Sequence, residues 1–269
     1  MNKYTKGNLA HWNELALINV KSDSYNLSGF KKGKSSLKPI EIEEVGDVSG
    51  KKLLHLQCHF GLDSMSWANL GAKVTGVDFS DKAIELAKAI SEELKIDCRF
   101  ICCNIYELPK VLKEKFDIVF TSYGVLCWLP DLKKWGKLIA HFLKPGGSFH
   151  LLETHPFNNV FENERKTKYL KVRYPYFHSP KPKKWESDNS YADPNAKVVN
   201  PSYEWTHSLG DIINALIEAN LKIEFLHEHP FCFHDHYPFL KKGKDGWWRF
   251  KGKKETIPLM FSLKATKRK

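Results

Sequence analysis

No run of about 18 consecutive apolar residues occurs in the 269-residue chain, which excludes a membrane-spanning helix. The first twenty residues lack the apolar core and small-residue cleavage site of a secretory leader, so a cytoplasmic location is expected. No Cys-x-x-Cys pair is present. The six cysteines (Cys58, Cys98, Cys102, Cys103, Cys127 and Cys232) mostly fall in apolar, strand-like runs, as reduced buried thiols do, and offer neither a disulfide framework nor the ligand pairs of a zinc site. Internal repeats and low-complexity segments are missing too. What is left is a globular make-up, 42% apolar and 27% charged, long enough for one large α/β domain or a domain with an elaborated lobe.

The formal charge of +11 is unevenly spread. Residues 1–40 carry +5, 162–186 carry +5 and 240–269 carry +9, while the rest of the chain totals −8. Such flanks suit an anionic partner such as RNA, or the steering of an acidic substrate. They also suit a plain solvated lysine surface, since lysines outnumber arginines and no RNA-binding motif stands out.

Apolar spacing predicts a short helix over 8–19, followed by a polar loop over 21–40. Strand and helix then alternate. KKLLHLQC, AKVTGVDF, CRFICCN, KFDIVFTSYG and GSFHLLE read as strands, and LDSMSWANLG, SDKAIELAKAISEELK and DLKKWGKLIAHFL as helices, with Ser80 capping the second. Strands joined by single helices imply a parallel sheet covered on both faces. The alternation stops over 156–206, a Pro-, Tyr-, Lys- and Asn-rich insertion expected to lie over the carboxyl edge of the sheet. A helix (SLGDIINALIEANL) and two strands (KIEFLHEHPF, IPLMFSLKAT) follow, the last two more easily antiparallel than a further crossover unit.

In an open parallel sheet, ligands bind beyond the carboxyl ends of the strands. The turn after the first strand is Gln57-Cys58-His59-Phe60-Gly61, and Asp78 closes the second strand, where a carboxylate can accept both hydroxyls of a ribose or cap the next helix. Asn104 and Ile105, after the third strand, can meet an adenine edge and ring. A dinucleotide would demand G-x-G-x-x-G so that backbone can approach a pyrophosphate. One glycine here points instead to a nucleoside ligand without phosphate.

Taken in order, LLHLQCHFG, GVDFS, CNIYELP, FDIVFTSYGVLCWLPDL and LKPGGSFHLLE resemble the five successive motifs of class I, Rossmann-like S-adenosylmethionine-dependent methyltransferases, in the variant with LQCHFG in the first motif. The resemblance spans Leu53 to Phe157. It implies a seven-stranded, mostly parallel sheet whose last strand is antiparallel, with helices on both faces and a lid-like insertion at 156–206. Residues 1–40 would form an N-terminal helix and cap, and 41–269 the methyltransferase domain. The resemblance further implies S-adenosylmethionine as cofactor and S-adenosylhomocysteine as product. Gln57, Cys58, His59 and Gly61 would wrap its methionine end, Asp78 would take the ribose, Phe79 and Ile105 would flank the adenine, Asn104 would accept from its amino group, and Ser122 would face the ammonium. His55 stands where the family usually has an acid, and Gln57 and His59 where it has glycines; because both side chains disfavour positive φ, a modified loop path is expected.

Methyl transfer needs alignment, exclusion of water and removal of one proton. The candidates for the proton are His155, after the fifth strand, His207, before the next helix, and Tyr123; each histidine can equally be structural. Cys127 and Trp128 line the expected acceptor side, Tyr25 is placed to close over the cofactor, and Tyr174, Tyr176, Phe177 and Trp205 supply either an aromatic lid or a satellite core. His227-Glu228-His229 and His234-Asp235-His236 look like metal ligands, and His227 and His229, at alternate positions of one strand, could both reach an ion, but this chemistry needs no metal and none is expected. The implied activity is transfer to a small-molecule acceptor, without a membrane partner. The alternatives are an RNA acceptor, for which Thr121-Ser122-Tyr123-Gly124 lacks the Asn-Pro-Pro-Tyr-like motif of base-amine methylation, and a non-catalytic cofactor binder.

Overall fold

The computed structural model describes residues 1–164, 166–186, 190–193, 195–252 and 257–269. Three helices come first: α1 (Lys3–Asn19), α2 (Leu27–Lys31) and α3 (Pro39–Val45). The alternating part follows as β1 (Lys52–Leu56), α4 (Leu62–Asn69), β2 (Lys73–Asp78), α5 (Asp81–Leu94), β3 (Cys98–Cys102), α6 (Leu108–Val111), β4 (Phe116–Thr121), α7 (Leu132–Phe142) and β5 (Leu143–Thr154). Then come β6 (Lys183–Trp185), β7 (Ser202–Glu204), α8 (Leu209–Glu218), β8 (Leu221–His229), β9 (Leu240–Lys242), β10 (Trp248–Phe250) and β11 (Met260–Lys267). The loop expected over 21–40 therefore contains α2 and the start of α3, and the expected boundary at residue 40 falls inside α3. Both helices are too short and polar to show an apolar period; α3 owes its start to Pro39, whose fixed φ suits a first helical turn.

Seven strands form one sheet in the order β3-β2-β1-β4-β5-β11-β8. The pairs from β3 to β5 are parallel, and β11 runs antiparallel to both β5 and β8, so six strands share one direction and the last opposes them. This is the Rossmann-like methyltransferase sheet. The strands that carry the site are buried on both faces: Leu53, Leu54 and Leu56 of β1 and Val119 and Phe120 of β4 are fully enclosed. Helix α5 presents Ala83, Ile84, Ala87 and Ile90 inward, and Ser80 accepts the Ala83 N–H at 3.0 Å as its cap, worth about 1 kcal/mol.

The insertion does not continue the sheet. It pairs β6 with β7, and Phe161 with Val172 in an isolated bridge. The chain between β8 and β11 folds β9 against β10 over a second core of Cys232, Tyr237, Leu240, Trp247 and Leu259, with Val160 and Phe161 from the insertion.

Candidate active site

Parallel strands in register bring their carboxyl ends to one edge. His55 lies opposite Gly76 and Phe120, and Asp78 opposite Cys102, so the turn after β1 meets Asp78, and the residues that follow β3 and β4, among them Asn104 and Ser122, lie along the same edge. Within that turn Gln57 has φ 57°, His59 φ 52° and Gly61 φ 79°. The expected modified path is thus corrected. The two side chains adopt the left-handed conformation that glycine takes, at alternate positions, at a cost of about 1–2 kcal/mol each. Only Gly61 has no choice, since a Cβ there would stand 2.6 Å from the Phe100 ring.

Packing and hydrogen bonds hold the strained turn. Asp78 Oδ2 accepts the His59 N–H at 2.9 Å, and its Oδ1 accepts the Ser80 N–H at 2.9 Å. Gln57 Nε2 donates to the Val125 carbonyl at 3.0 Å. The His59 ring lies against Trp12, Tyr25 and Phe60, with its Nε2 3.2 Å from the Asn19 amide. Gln57 Oε1 and His59 Nδ1 are buried without a partner. Ser80, not Asp78, caps α5. Burial raises the Asp78 carboxyl to about 6 against the opposing pull of the Ser80, His59 and Phe79 N–H groups. Burial also lowers His59 to about 3, so its ring is neutral.

Other expected residues do not all face the site. The Cys58 side chain is buried in the core, with its thiol pushed up by burial, so only its backbone belongs to the turn. Asn104 Oδ1 caps the turn that follows by accepting the Tyr106 N–H at 3.0 Å, and Ile105 is buried in the main core instead of lining an open face. Phe79 is half-buried beside Asp78. Ser122 Oγ lies 3.4 Å from His55 Nε2 and 3.4 Å from Asp63 Oδ2. His55 also reaches Ser64 Oγ at 2.8 Å, and burial drops it to about 4, so the residue in the acid's place is a neutral imidazole.

The two histidines considered for proton transfer are occupied. His155 Nδ1 accepts the Phe157 N–H at 3.1 Å, and its Nε2 lies 2.9 Å from Glu228 Oε1. His207 Nε2 donates to the Leu129 carbonyl at 2.7 Å while its ring stacks on His178. Both brace loops. Tyr123 differs: its hydroxyl is buried facing the Glu41 carboxyl, and its ring lies 4.5 Å from that of Phe233. Burial pushes the Cys127 thiol well up, which disarms it as a nucleophile.

Helix α1 and the insertion roof this edge. Trp12 packs edge-on against Trp128 at 5.2 Å, and Asn19 hydrogen-bonds both His59 and the Tyr191 hydroxyl, which also meets Tyr25. Asn8 exchanges two hydrogen bonds with the Tyr203 backbone, and Glu14 accepts the Val199 and Asn200 N–H groups. The expected aromatic set is dispersed. Trp205 is buried edge-on to Tyr4, Tyr174 and Trp185 enclose the Lys183 ammonium, Tyr176 accepts the Leu209 N–H, and Phe177 is exposed.

His227 and His229 do share a face, but they bind α3: Glu44 Oε1 lies 3.0 Å from His227 Nδ1 and accepts from Ser262, which itself meets His229. Among the described residues no three His, Cys, Asp or Glu side chains converge to hold a metal ion.

Residues 54–151 match a methyltransferase domain family. The chain is 30% identical over 230 residues to a ubiquinone biosynthesis O-methyltransferase of Coxiella burnetii, covering 84% of this chain and 87% of that protein. The chain belongs to the S-adenosylmethionine-dependent methyltransferases. It is also 36% identical over 126 residues to a demethylmenaquinone methyltransferase of Lactococcus lactis, across 45% of this chain and 49% of that one. Its fold is shared by a solved S-adenosylmethionine-dependent methyltransferase of Mesorhizobium loti, with TM-score 0.61, 18% identity and coverage of 88% and 100%.

Around this edge the methyltransferase holds further buried and half-buried carboxyl groups that sequence patterns do not mark. Glu153, at the end of β5, accepts the N–H groups of Gly124, Val125, Leu126 and Thr154 and so fixes the loop after β4. A lone acid closing an apolar strand was its only signal. Asp63 accepts from Ser36 Oγ at 2.6 Å, and buried Glu41 faces Asp63 and Tyr123 with its carboxyl held well up by burial. Glu204 of β7 is raised by burial to about 7 beside Cys127 and Lys183. A surface depression of about 620 Å³ lies apart from all of these, lined by Leu240, Lys241, Lys242, Trp248, Lys251 and Gly252.

Proposed function

We propose that this methyltransferase passes the methyl group of S-adenosylmethionine to a hydroxyl oxygen of a small molecule. The observation that carries the cofactor half is the turn after β1, left-handed at residues 57, 59 and 61 and anchored on Asp78. A strained backbone persists where the surroundings over-determine it, commonly at functional sites. The chain's donors and acceptors suit the ligand. A carboxylate offers about four lone-pair sites; on Asp78 the His59 and Ser80 N–H groups each take one and the Phe79 N–H also bears on it, so the remaining capacity would serve a ribose hydroxyl. Gln57 Oε1 and His59 Nδ1 are orphaned polar atoms in the same turn. Phe79 would lie along the adenine, Asn104 would use the remaining lone pair of its Oδ1 for the amino group, and Ser122 with Asp63 would take the ammonium.

When bound, the cofactor supplies a methyl group on a sulfonium, already a strong electrophile. The protein's share is positioning, which can provide on the order of 7–11 kcal/mol, and exclusion of water. Helix α1, the loop after β4 and Tyr191 are well placed for the second task through Trp12, Trp128 and Asn19. That roof favours a small acceptor over a polynucleotide. The oxygen follows from the O-methyltransferase name of the Coxiella relative. Calorimetric titration with S-adenosylmethionine and S-adenosylhomocysteine tests the reading: micromolar affinity, abolished in Asp78→Ala, is expected. A wild-type protein that binds neither ligand would refute it, and salt-sensitive methylation of RNA would replace the small acceptor with a polynucleotide.

A further inference from the structure

Apart from the cofactor edge, the hairpin of β9 and β10 carries charge that nothing else in the fold uses. Residues 240–252 hold five bases and one acid. The acid, Asp245, is taken up by Arg249, whose guanidinium donates to both of its oxygens at 3.0 and 2.7 Å. Lys241, Lys242 and Lys251 are exposed, and among the described residues none of them forms an ion pair. These three lysines border the depression of about 620 Å³, whose other lining is Leu240, Trp248 and Gly252. Lys242 stands directly across from Trp248 in the β9–β10 register, and buried Leu240 supplies an apolar floor.

Packing holds these walls in place. Trp248 exchanges two backbone hydrogen bonds with Cys232, at 3.0 and 2.9 Å, and its neighbour Trp247 packs on Phe231 at 4.8 Å. Phe250, beyond it, stacks over Tyr237 and Phe239. At Gly252, with φ 63°, nothing stands within 4 Å of where a Cβ would be, so the backbone there is open to an approaching group. The volume falls within the range of about 300–1,000 Å³ usual for small-molecule sites. Three like charges around one depression repel one another, and a multiply charged anion would reverse that cost. Ammonium groups suit phosphate oxygens, and an indole face suits a nucleobase. A nucleic-acid strand would ask for a longer basic groove, of about 4–16 nucleotides. A membrane surface would ask for apolar side chains standing proud of the lysines, whereas Trp248 is half-buried and the lysines are exposed.

We propose that this depression is a second ligand site, which binds a nucleoside di- or triphosphate with its base on Trp248 and its phosphates on Lys241, Lys242 and Lys251. None of its lining residues belongs to the Asp78 edge, so occupancy of one site leaves the other open. The site therefore goes beyond the methyl-transfer reading and does not rest on it.

Calorimetric titration with ATP tests it, on wild type saturated with S-adenosylhomocysteine and separately on Asp78→Ala, so that adenine binding at the cofactor edge does not enter. One site of equal affinity is expected in both. Adenosine and inorganic triphosphate each offer half of the ligand and should each bind about tenfold more weakly than ATP, or less. Lys242→Gln and Lys251→Gln, exposed and therefore safe for folding, should each weaken ATP by roughly three- to tenfold and leave S-adenosylhomocysteine affinity unchanged. Trp248→Leu should weaken ATP by about fivefold or more. No binding of ATP, or binding unaltered in both lysine variants, would overturn the proposal. Triphosphate as tight as ATP, with Trp248→Leu unaltered, would overturn it in favour of an adventitious ion only. Single-stranded RNA or anionic phospholipid vesicles held where ATP is not would overturn it in favour of a larger partner. If wild type binds no S-adenosylhomocysteine, the cofactor reading fails, while the Asp78→Ala titration still decides this one.

Discussion

Replacing His59 by alanine and by glycine separates the backbone of the first turn from its side chains. In an ordinary helix or strand, glycine is less stable than alanine by about 0.5–1 kcal/mol. At φ 52° the order should invert. Alanine retains the left-handed penalty of about 1–2 kcal/mol, which glycine escapes. The greater freedom of glycine in the unfolded chain returns about 0.4–1 kcal/mol of that gain. The net expectation is a glycine variant more stable than the alanine variant by roughly 0.5–1 kcal/mol. Both variants lose the contacts of the imidazole with Trp12, Tyr25 and Phe60, so that loss cancels in the comparison. The same inversion is expected at Gln57, with φ 57°. Exposed Ala89 in α5 serves as control, where glycine should cost about 1 kcal/mol. Urea unfolding followed by circular dichroism reads each difference, and a melting shift of about 2–4 °C per kcal/mol is the corroborating signal. Alanine equal to or more stable than glycine at both 57 and 59 would mean that the turn is not left-handed in solution.

Two further outcomes follow from buried carboxylates. Asp78, raised to about 6, favours the folded state below its ordinary 3.8 and loses that contribution as pH rises through about 6. Its ionised form is the better acceptor, so affinity for S-adenosylhomocysteine should climb up to tenfold per pH unit towards about 6 and level off above; titrations at several pH values check this, and Asp78→Asn should flatten the profile. Glu153→Gln leaves one amide oxygen to serve N–H groups that now share two carboxylate oxygens. A loss of about 2–4 kcal/mol in urea unfolding is expected from stranded donors, and a variant as stable as wild type would show that the loop stands without this anchor.

Asp78, Ser80 and the strand ends around them were legible because each depends on local spacing: an acid closing an apolar run, then a serine before a helical period. The path of the turn was not, because the intrinsic preference of Gln57 and His59 argues against the conformation they adopt. That conformation is imposed from outside, by Asp78, Val125 and α1. Glu153 showed only as an acid closing an apolar strand, and Asp63 and Glu41 gave no local signal, since the partners of all three lie far along the chain. His155 and His207 occupy positions where a proton carrier would stand, and only the Glu228 and Leu129 contacts reveal them as braces. His234 and His236 drew attention as metal ligands; the contact between their own rings, at 3.2 Å, was not legible.

The place of β11 has a consequence for synthesis on the ribosome. Strand β8 touches the sheet only through β11, which enters between it and β5. The half of the sheet from β3 to β5 can assemble as soon as it emerges, whereas β8 must wait without a strand partner until residues 260–267 have been translated. The cofactor edge is thus built early and from near neighbours. The β8 edge closes last, as a wedge driven in by residues 260–267, and a nascent chain halted before that wedge would display a finished Asp78 edge with β8 still unpaired.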